Sequence, residues 1–233
     1  MRSLLKLVIV FFLFISSAAW SQEIKTTRDI GYWIGVGLDY KLNKKWTTSA
    51  SQELRTFDNA TKLSGAITEF GIRYKINKQF RLGAGLRYAY DRQRDLTFLS
   101  EARYNLDFKF KQKIVKHLQL HYRFRFQNNY SNIFSVPNAF EPEANIRNRV
   151  KFQYKLKDHT LFFATELFRS YEFFRMLYFN SLRFSVGNKR ETKLGDFNYG
   201  FAYERELNEV SPLNFFFLKL NYTFNFKRKK RND

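Results

Sequence analysis

The chain has 233 residues, a formal charge of +20, no cysteine, and an aromatic complement of 28 Phe, 14 Tyr and 3 Trp. Without cysteine, neither a lipoprotein anchor nor a disulfide framework is expected. A mean hydropathy of −0.49 excludes a bundle of membrane helices, while 19% aromatic residues would oblige a soluble domain to bury most of its rings. A β-barrel reconciles the two, because its strands alternate lipid-facing apolar residues with lumen-facing polar ones.

The first residues read as a targeting device. Met1, Arg2 and Lys6 form a basic flank, residues 7–15 carry no charge, and residues 16–21 end in a small-x-small pattern. This predicts a cleaved signal peptide over 1–21 and a mature chain from Gln22. The apolar run is shorter than the roughly 20 residues that a spanning helix needs. Removing Arg2 and Lys6 leaves 39 basic against 21 acidic residues, or +18. Such an excess usually suggests nucleic acid as a partner. Export, and a basic spacing that follows a strand period rather than a patch, argue against one.

Apolar residues then recur at every second position along the chain. The first segment reads Tyr32, Ile34, Val36, Leu38, Tyr40, and residues 46–56 form a weaker second. The third has Phe70, Ile72, Tyr74, Ile76; the fourth has Phe80, Leu82, Ala84, Leu86, Tyr88, Tyr90 opposite Arg81, Gly83, Gly85, Arg87, Ala89, Asp91. Ala102 to Phe110 make the fifth. In the sixth, Leu118, Leu120, Tyr122, Phe124, Phe126 oppose Gln119, His121, Arg123, Arg125, Gln127. Val150, Phe152, Tyr154, Leu156 mark the seventh, and residues 160–170 and 180–188 are weaker candidates. Phe197 to Tyr203 follow. The last and most regular segment sets Phe216, Leu218, Leu220, Tyr222, Phe224, Phe226 against Phe217, Lys219, Asn221, Thr223, Asn225. Alternation over about ten residues is the signature and length of a tilted membrane strand, whereas a helical period would scatter the arginines around the axis.

Eleven such segments can be counted. Short turns follow the odd-numbered ones, at 43–45, 77–79, 113–117, 157–159 and 189–195; longer connections follow the even ones, at 57–62, 92–97, 129–144, 171–177 and 205–212. Bacterial barrels place short turns in the periplasm and long loops outside, so the 129–144 loop, with Pro137 and Pro142, is the expected external lid or docking surface. Single-chain bacterial barrels have an even strand number. The expectation is therefore an all-β, antiparallel up-and-down transmembrane barrel over 22–226. Twelve strands are expected, with residues 22–28 adding a short opening strand; ten is the alternative, if a weak segment drops out. Residues 227–233 form a basic periplasmic tail.

Short motifs carry a resemblance. Trp33 lies in the opening strand; Tyr40-Lys41-Leu42-Asn43 precede a tight turn and Trp46; Glu53-Leu54-Arg55 close the second strand. Gly71-Ile72-Arg73-Tyr74-Lys75, the G-x-G-x-R-Y stretch from Gly83 to Tyr88, Arg123-Phe124-Arg125, Arg147-Asn148-Arg149 and Glu166-Leu167-Phe168 continue it. The chain resembles the DUF2490 family, outer-membrane barrels of Gram-negative bacteria. The resemblance implies location in the outer membrane and brings no activity with it. The tail after Phe226 departs from outer-membrane proteins that end on an aromatic residue.

Chemistry is sparse. A histidine mechanism needs a nucleophile or water within hydrogen-bond reach, but His117 and His159 fall in short turns. His121 points inward with no serine beside it, and a lumen hydrogen bond is its expected role. No catalytic residue, metal ligand set or cofactor site is expected. The inward faces hold Glu53, Arg55, Arg73, Arg87, Arg103, Arg123, Arg125, Arg147, Arg149, Glu166, Arg183 and Glu204, together with Glu69, Arg81, Asp91, Glu101 and Asp107. These side chains either pair and fill a narrow lumen or form an anion-selective path, since guanidinium forks match carboxylate and phosphate. Inward glycines at 31, 35, 37, 83 and 85 would make room for arginines from across the lumen. Arg123, Arg125, Arg147 and Arg149 are the expected determinants of selectivity. Trp46, Tyr88, Tyr90, Tyr154, Tyr203 and Tyr222 suit interfacial aromatic girdles.

The leading expectation is thus a structural or pore-like barrel in the outer membrane. Its partners would be membrane lipid and lipopolysaccharide, the barrel-assembly machinery during insertion, and a small anionic solute. A barrel enzyme acting on lipid or lipopolysaccharide and a soluble periplasmic β-sandwich are the alternatives.

Overall fold

A computed structural model describes residues 26–92, 98–131, 143–171 and 178–227. The region read as a signal peptide, the segment holding Pro137 and Pro142, and the tail beyond Lys227 lie outside the described residues. Within them the chain forms eleven strands: β1 (Thr27–Lys41), β2 (Trp46–Phe57), β3 (Lys62–Lys75), β4 (Phe80–Arg92), β5 (Phe98–Lys113), β6 (Leu118–Ser131), β7 (Glu143–Lys155), β8 (His159–Tyr171), β9 (Tyr178–Glu191), β10 (Gly195–Glu206) and β11 (Leu213–Lys227). Each pairs with its sequence neighbours, and β11 pairs with β1, so the sheet is a closed barrel.

The eleven segments legible in the sequence are the eleven strands, but a twelfth has no place. Thr27 and Arg28 belong to β1 itself, and β1 pairs with β11 directly from Thr27↔Leu213 to Lys41↔Lys227. That pairing is parallel, whereas all the others are antiparallel. The reason is geometric. Up-and-down strands alternate in direction, so in an odd ring the first and last run the same way. Even-numbered closure is thereby replaced by one parallel seam.

Local chemistry fixes the ends. Asn43 Oδ1 accepts hydrogen bonds from the Lys45 and Trp46 amides at 2.8 and 2.9 Å. Asn77 does the same for Gln79 and Phe80, both at 2.8 Å. These are side-chain turns that asparagine favours. The β2–β3 connection at the opposite rim is tighter than its irregular sequence suggests. Asp58, Asn59 and Ala60 have φ of 53°, 53° and 65°. The carboxylate of Asp29 on β1 holds this left-handed run, accepting from the amides of Asp58 at 3.0 Å and Asn59 at 2.7 Å.

The alternation resolves into two surfaces. Outward residues form an apolar coat in which Leu86, Phe201 and Phe70 are 65%, 66% and 59% exposed. Inward neighbours of the same strands, such as Ile67 and Ala89, are 3% and 2% exposed. Outward rings pair across strands near the rims, as in Trp46 on Tyr74 at 4.7 Å and Tyr90 on Phe98 at 4.9 Å.

The parallel seam makes a sharp prediction, because the chain contains no native cysteine. Val36 lies opposite Tyr222 across the seam, at the roughly 4.8 Å spacing of neighbouring strands, within disulfide reach. Val36→Cys with Tyr222→Cys should cross-link under mild oxidation and shift electrophoretic mobility. Val36→Cys with Phe216→Cys should not, and the reverse result would exclude the parallel register.

Candidate functional site in the barrel interior

Inside the barrel the inward positions of all strands converge, and most carry charge. The cations and carboxylates read from the sequence largely pair with one another. Arg55 meets Glu53 at 2.8 Å, Arg73 meets Asp39 at 2.6 Å, Arg87 meets Glu69 at 2.5 Å and Arg103 meets Glu101 at 2.6 Å. Arg183 pairs with Glu204. Arg125 grips Asp107 with two hydrogen bonds, Nε to Oδ1 at 2.6 Å and Nη2 to Oδ2 at 2.9 Å. Glu166 is shared: Arg123 reaches it at 2.5 Å and Arg147 at 2.7 Å.

Of the four arginines expected to govern selectivity, three are paired, Arg123 and Arg147 with one shared carboxylate and Arg125 with Asp107, and only Arg149 makes no ion pair among the described residues. The interior also holds lysines that the sequence reading did not count among the inward charges. Lys219 sits 3.3 Å from Glu53, Lys109 3.0 Å from Asp107, and Lys189 2.8 Å from Asp196. Plain alternation places each of them inside, so parity alone would have found them. Lysine is the less conspicuous signal because it also crowds the turns.

The interior also contains rings. Trp33 and Phe217, from the two seam strands, stack at 3.9 Å and are 6% and 2% exposed. The Arg55 guanidinium lies 3.8 Å above the Trp33 ring and that of Arg183 lies 5.0 Å from it. Arg183 and Arg147 flank Phe168 at 4.7 and 4.4 Å. Such contacts hold cations by the ring quadrupole while excluding water. Inward glycines serve this packing differently from the expectation. A Cβ on Gly31 would stand 2.6 Å from Phe215 Cζ, and one on Gly35 would overlap Asn221 Oδ1. Gly31 and Gly35 make room for side chains of the adjacent strand β11, and Gly83 and Gly85 on β4 for Asp107 and Asn105 of the adjacent β5, rather than for arginines across the lumen.

Packing is uneven along the axis. Asn105, Asp107, Arg125, Gln127, Asn145, Arg147, Glu166, Ser170 and Ser181 are buried, whereas Arg81, Lys75 and Lys155 near the short turns are exposed. Toward the short turns the interior opens into a cavity of about 450 Å³ bounded by Trp33, Glu53, Glu69, Lys151 and Lys219. A neighbouring one of about 280 Å³ is bounded by Arg81, Lys109, Lys111, His121 and Arg123. Arg149 and Lys151 line both. His121 points inward as expected, but its Nε2 is buried without a hydrogen bond. His117 Nδ1 lies 3.1 Å from the Lys155 carbonyl, and His159 Nδ1 lies 2.7 Å from Asn188 Nδ2.

Glu166 anchors the most crowded group of arginines. Its conversion to Gln leaves Arg123 and Arg147 facing each other without a counter-charge. Removing one member of a buried pair costs about 3–5 kcal/mol. Glu166→Gln should lose stability of that order in guanidinium unfolding followed by tryptophan fluorescence. Glu209→Gln, on an exposed rim, should be neutral.

Among known protein families, the model of the one described as a protein of unknown function (DUF2490) fits residues 30–193, spanning Ile30 of β1 to just past the end of β9. No match was found among curated proteins or among solved structures. The matched stretch covers well over half the chain and contains most of the charged lumen, and the protein accordingly belongs to the DUF2490 family.

Proposed function

We propose that this protein is an outer-membrane β-barrel of structural or pore-like type, with a lumen that admits small anions but is constricted by arginine and aromatic side chains. The apolar coat around the closed sheet carries this reading. A sheet that pairs all its edges and turns Leu86, Phe70, Phe201 and Val186 outward satisfies its backbone and matches hydrocarbon. In water it would expose an apolar surface far larger than monomers tolerate. Strands of 12 to 16 residues exceed the 9–11 needed to cross a bilayer at a tilt. Outward tyrosines near both rims, with Trp46 at the short-turn rim, suit the headgroup level, and the export signal read over 1–21 agrees.

On this reading the short turns face the periplasm and the longer connections face outward. Membrane lipid and lipopolysaccharide surround the wall, and the barrel-assembly machinery inserts it. The role is non-catalytic. Transport rests on the interior, where cations outnumber carboxylates and low-dielectric walls concentrate anions.

Two experiments bear on these claims. Leu220, on the outward face of β11, pairs with Ile34 across the seam, and the next residue, Asn221, faces inward beside Gly35. Leu220→Arg should cost about 2–4 kcal/mol near the bilayer midplane and accumulate unfolded, while Asn221→Arg should fold. Equal yields, or native protein recovered in buffer without detergent, would exclude a lipid-facing coat. In planar bilayers under a salt gradient, the unmodified barrel should show a small conductance that favours anions. Trp33→Ala with Phe217→Ala should enlarge it. Cation preference would overturn the electrostatic reading.

A further inference from the structure

We infer that the short-turn end of the lumen is a binding site for a small polyanion of the phosphate or diphosphate class, held by Arg81, Lys111, Arg149 and Lys151. This deepens the anion-favouring lumen proposed above and rests on it, but it is a claim about binding rather than passage.

The cavity of about 280 Å³ is lined by the cations Arg81, Lys109, Lys111, Arg123, Arg149 and Lys151, and no carboxylate lines it. Two of these cations are satisfied elsewhere, Lys109 by Asp107 and Arg123 by Glu166. The other four make no ion pair among the described residues. The charged side chains acting most strongly on Lys151 are Arg149, Arg123, Lys189 and Lys109, all cationic. Around Lys111 they are Arg81, Lys155 and Lys189. Like charges gathered inside a protein wall repel strongly, because little water separates them. A multivalent anion among these cations would relieve that repulsion.

Hydrogen-bonding capacity points the same way. Arg149 Nε and His121 Nε2 are buried and make no hydrogen bond, although such groups are normally satisfied. A phosphoryl group offers several acceptor oxygens to a guanidinium fork and to ammonium groups at once. The cavity lies at the small end of ligand sites, which fits a phosphate or diphosphate and excludes bulky solutes.

Access is built in. Arg81 and Lys111 stand near the short-turn rim, at the start of β4 and the end of β5. Every short turn carries an exposed lysine: Lys44 and Lys45, Lys78, Lys116, Lys157 and Lys193. A ring of cations at a mouth steers anions inward and raises their association rate. Beyond the site, the stacked Trp33 and Phe217 with Arg55 above them narrow the onward path, so an anion dwells in the vestibule before it passes.

The test is calorimetric titration of the folded full-length barrel in zwitterionic detergent, at low salt, with pyrophosphate as probe. Saturable binding is expected. Arg149→Gln with Lys151→Gln should weaken it by about tenfold for each charge-assisted hydrogen bond removed. Arg28→Gln with Lys62→Gln, an equal charge change at the opposite rim, should leave it intact. Folding of each variant is checked by heat-dependent gel mobility. Arg81→Gln with Lys111→Gln, near the mouth and outside any ion pair, serves should the first pair not fold. Absence of saturable binding, or equal loss in the opposite-rim control, would overturn the site. Displacement of pyrophosphate by phosphatidylglycerol or lipopolysaccharide in the micelle would assign it to a lipid headgroup instead of a free solute. A barrel that binds pyrophosphate yet shows no conductance retains the site and refutes only the pore reading.

Discussion

A sheet that closes on itself must satisfy the last strand with the first, and here that closure joins strands running in the same direction. With eleven strands of alternating sense, β1 and β11 both descend from the longer connections to the short turns. Everything else is arranged around this seam. It puts Thr27 and Lys227, the first residue of β1 and the last of β11, at opposite rims, unlike an even barrel. It also brings Trp33 and Phe217 side by side inside, although nearly the whole chain separates them. Parallel pairing is slightly weaker per residue than antiparallel. The inward stack of those two rings, capped by Arg55, adds packing at the place where the backbone ladder is least favourable.

The interior is a second consequence. A small ring leaves a bore that side chains can span, so charges from nonadjacent strands meet, as Arg123 of β6 and Glu166 of β8 do. Away from water, unpaired charge is costly, and the half of the lumen nearer the longer connections is correspondingly paired and packed. At the short-turn end pairing continues through Arg73 with Asp39 and Lys189 with Asp196, but it is missing from the cavity lined by Arg81, Lys111, Arg149 and Lys151. Lysines and arginines there face one another across open volume, and the molecule has one filled end and one electropositive, accessible end. Side-chain packing and open cationic volume thus occupy different layers of the barrel.

The exterior follows from the same alternation. Most inward charges have apolar outward neighbours, as Lys219 has in Leu218 and Leu220 and Arg125 in Phe124 and Phe126, so a charged lumen and an apolar coat are built from the same strands. This accounts for an unremarkable mean hydropathy in a chain whose outer surface is greasy.

Strand positions, facing and approximate ends were legible because the period-2 pattern is local: residues 118–131 declare two faces without reference to any other strand. Even the weak segments at 46–56, 160–170 and 180–188 are strands. The charged lumen was legible for the same reason, down to most of its arginines. What the sequence could not supply was the relation between strands. Whether eleven strands gain a twelfth depends on the meeting of β1 with β11, an event between residues about 190 positions apart. Which carboxylate pairs with which arginine depends on register and on reach across the bore, and so, of the quartet Arg123, Arg125, Arg147 and Arg149, Arg149 alone makes no ion pair among the described residues. The roles of Gly31 and Gly35 likewise depend on Phe215 and Asn221 approaching from the far end of the chain. Periodicity is written residue by residue and determines the strands; closure, pairing and cavity are properties of the ring, and only the tertiary structure decides them.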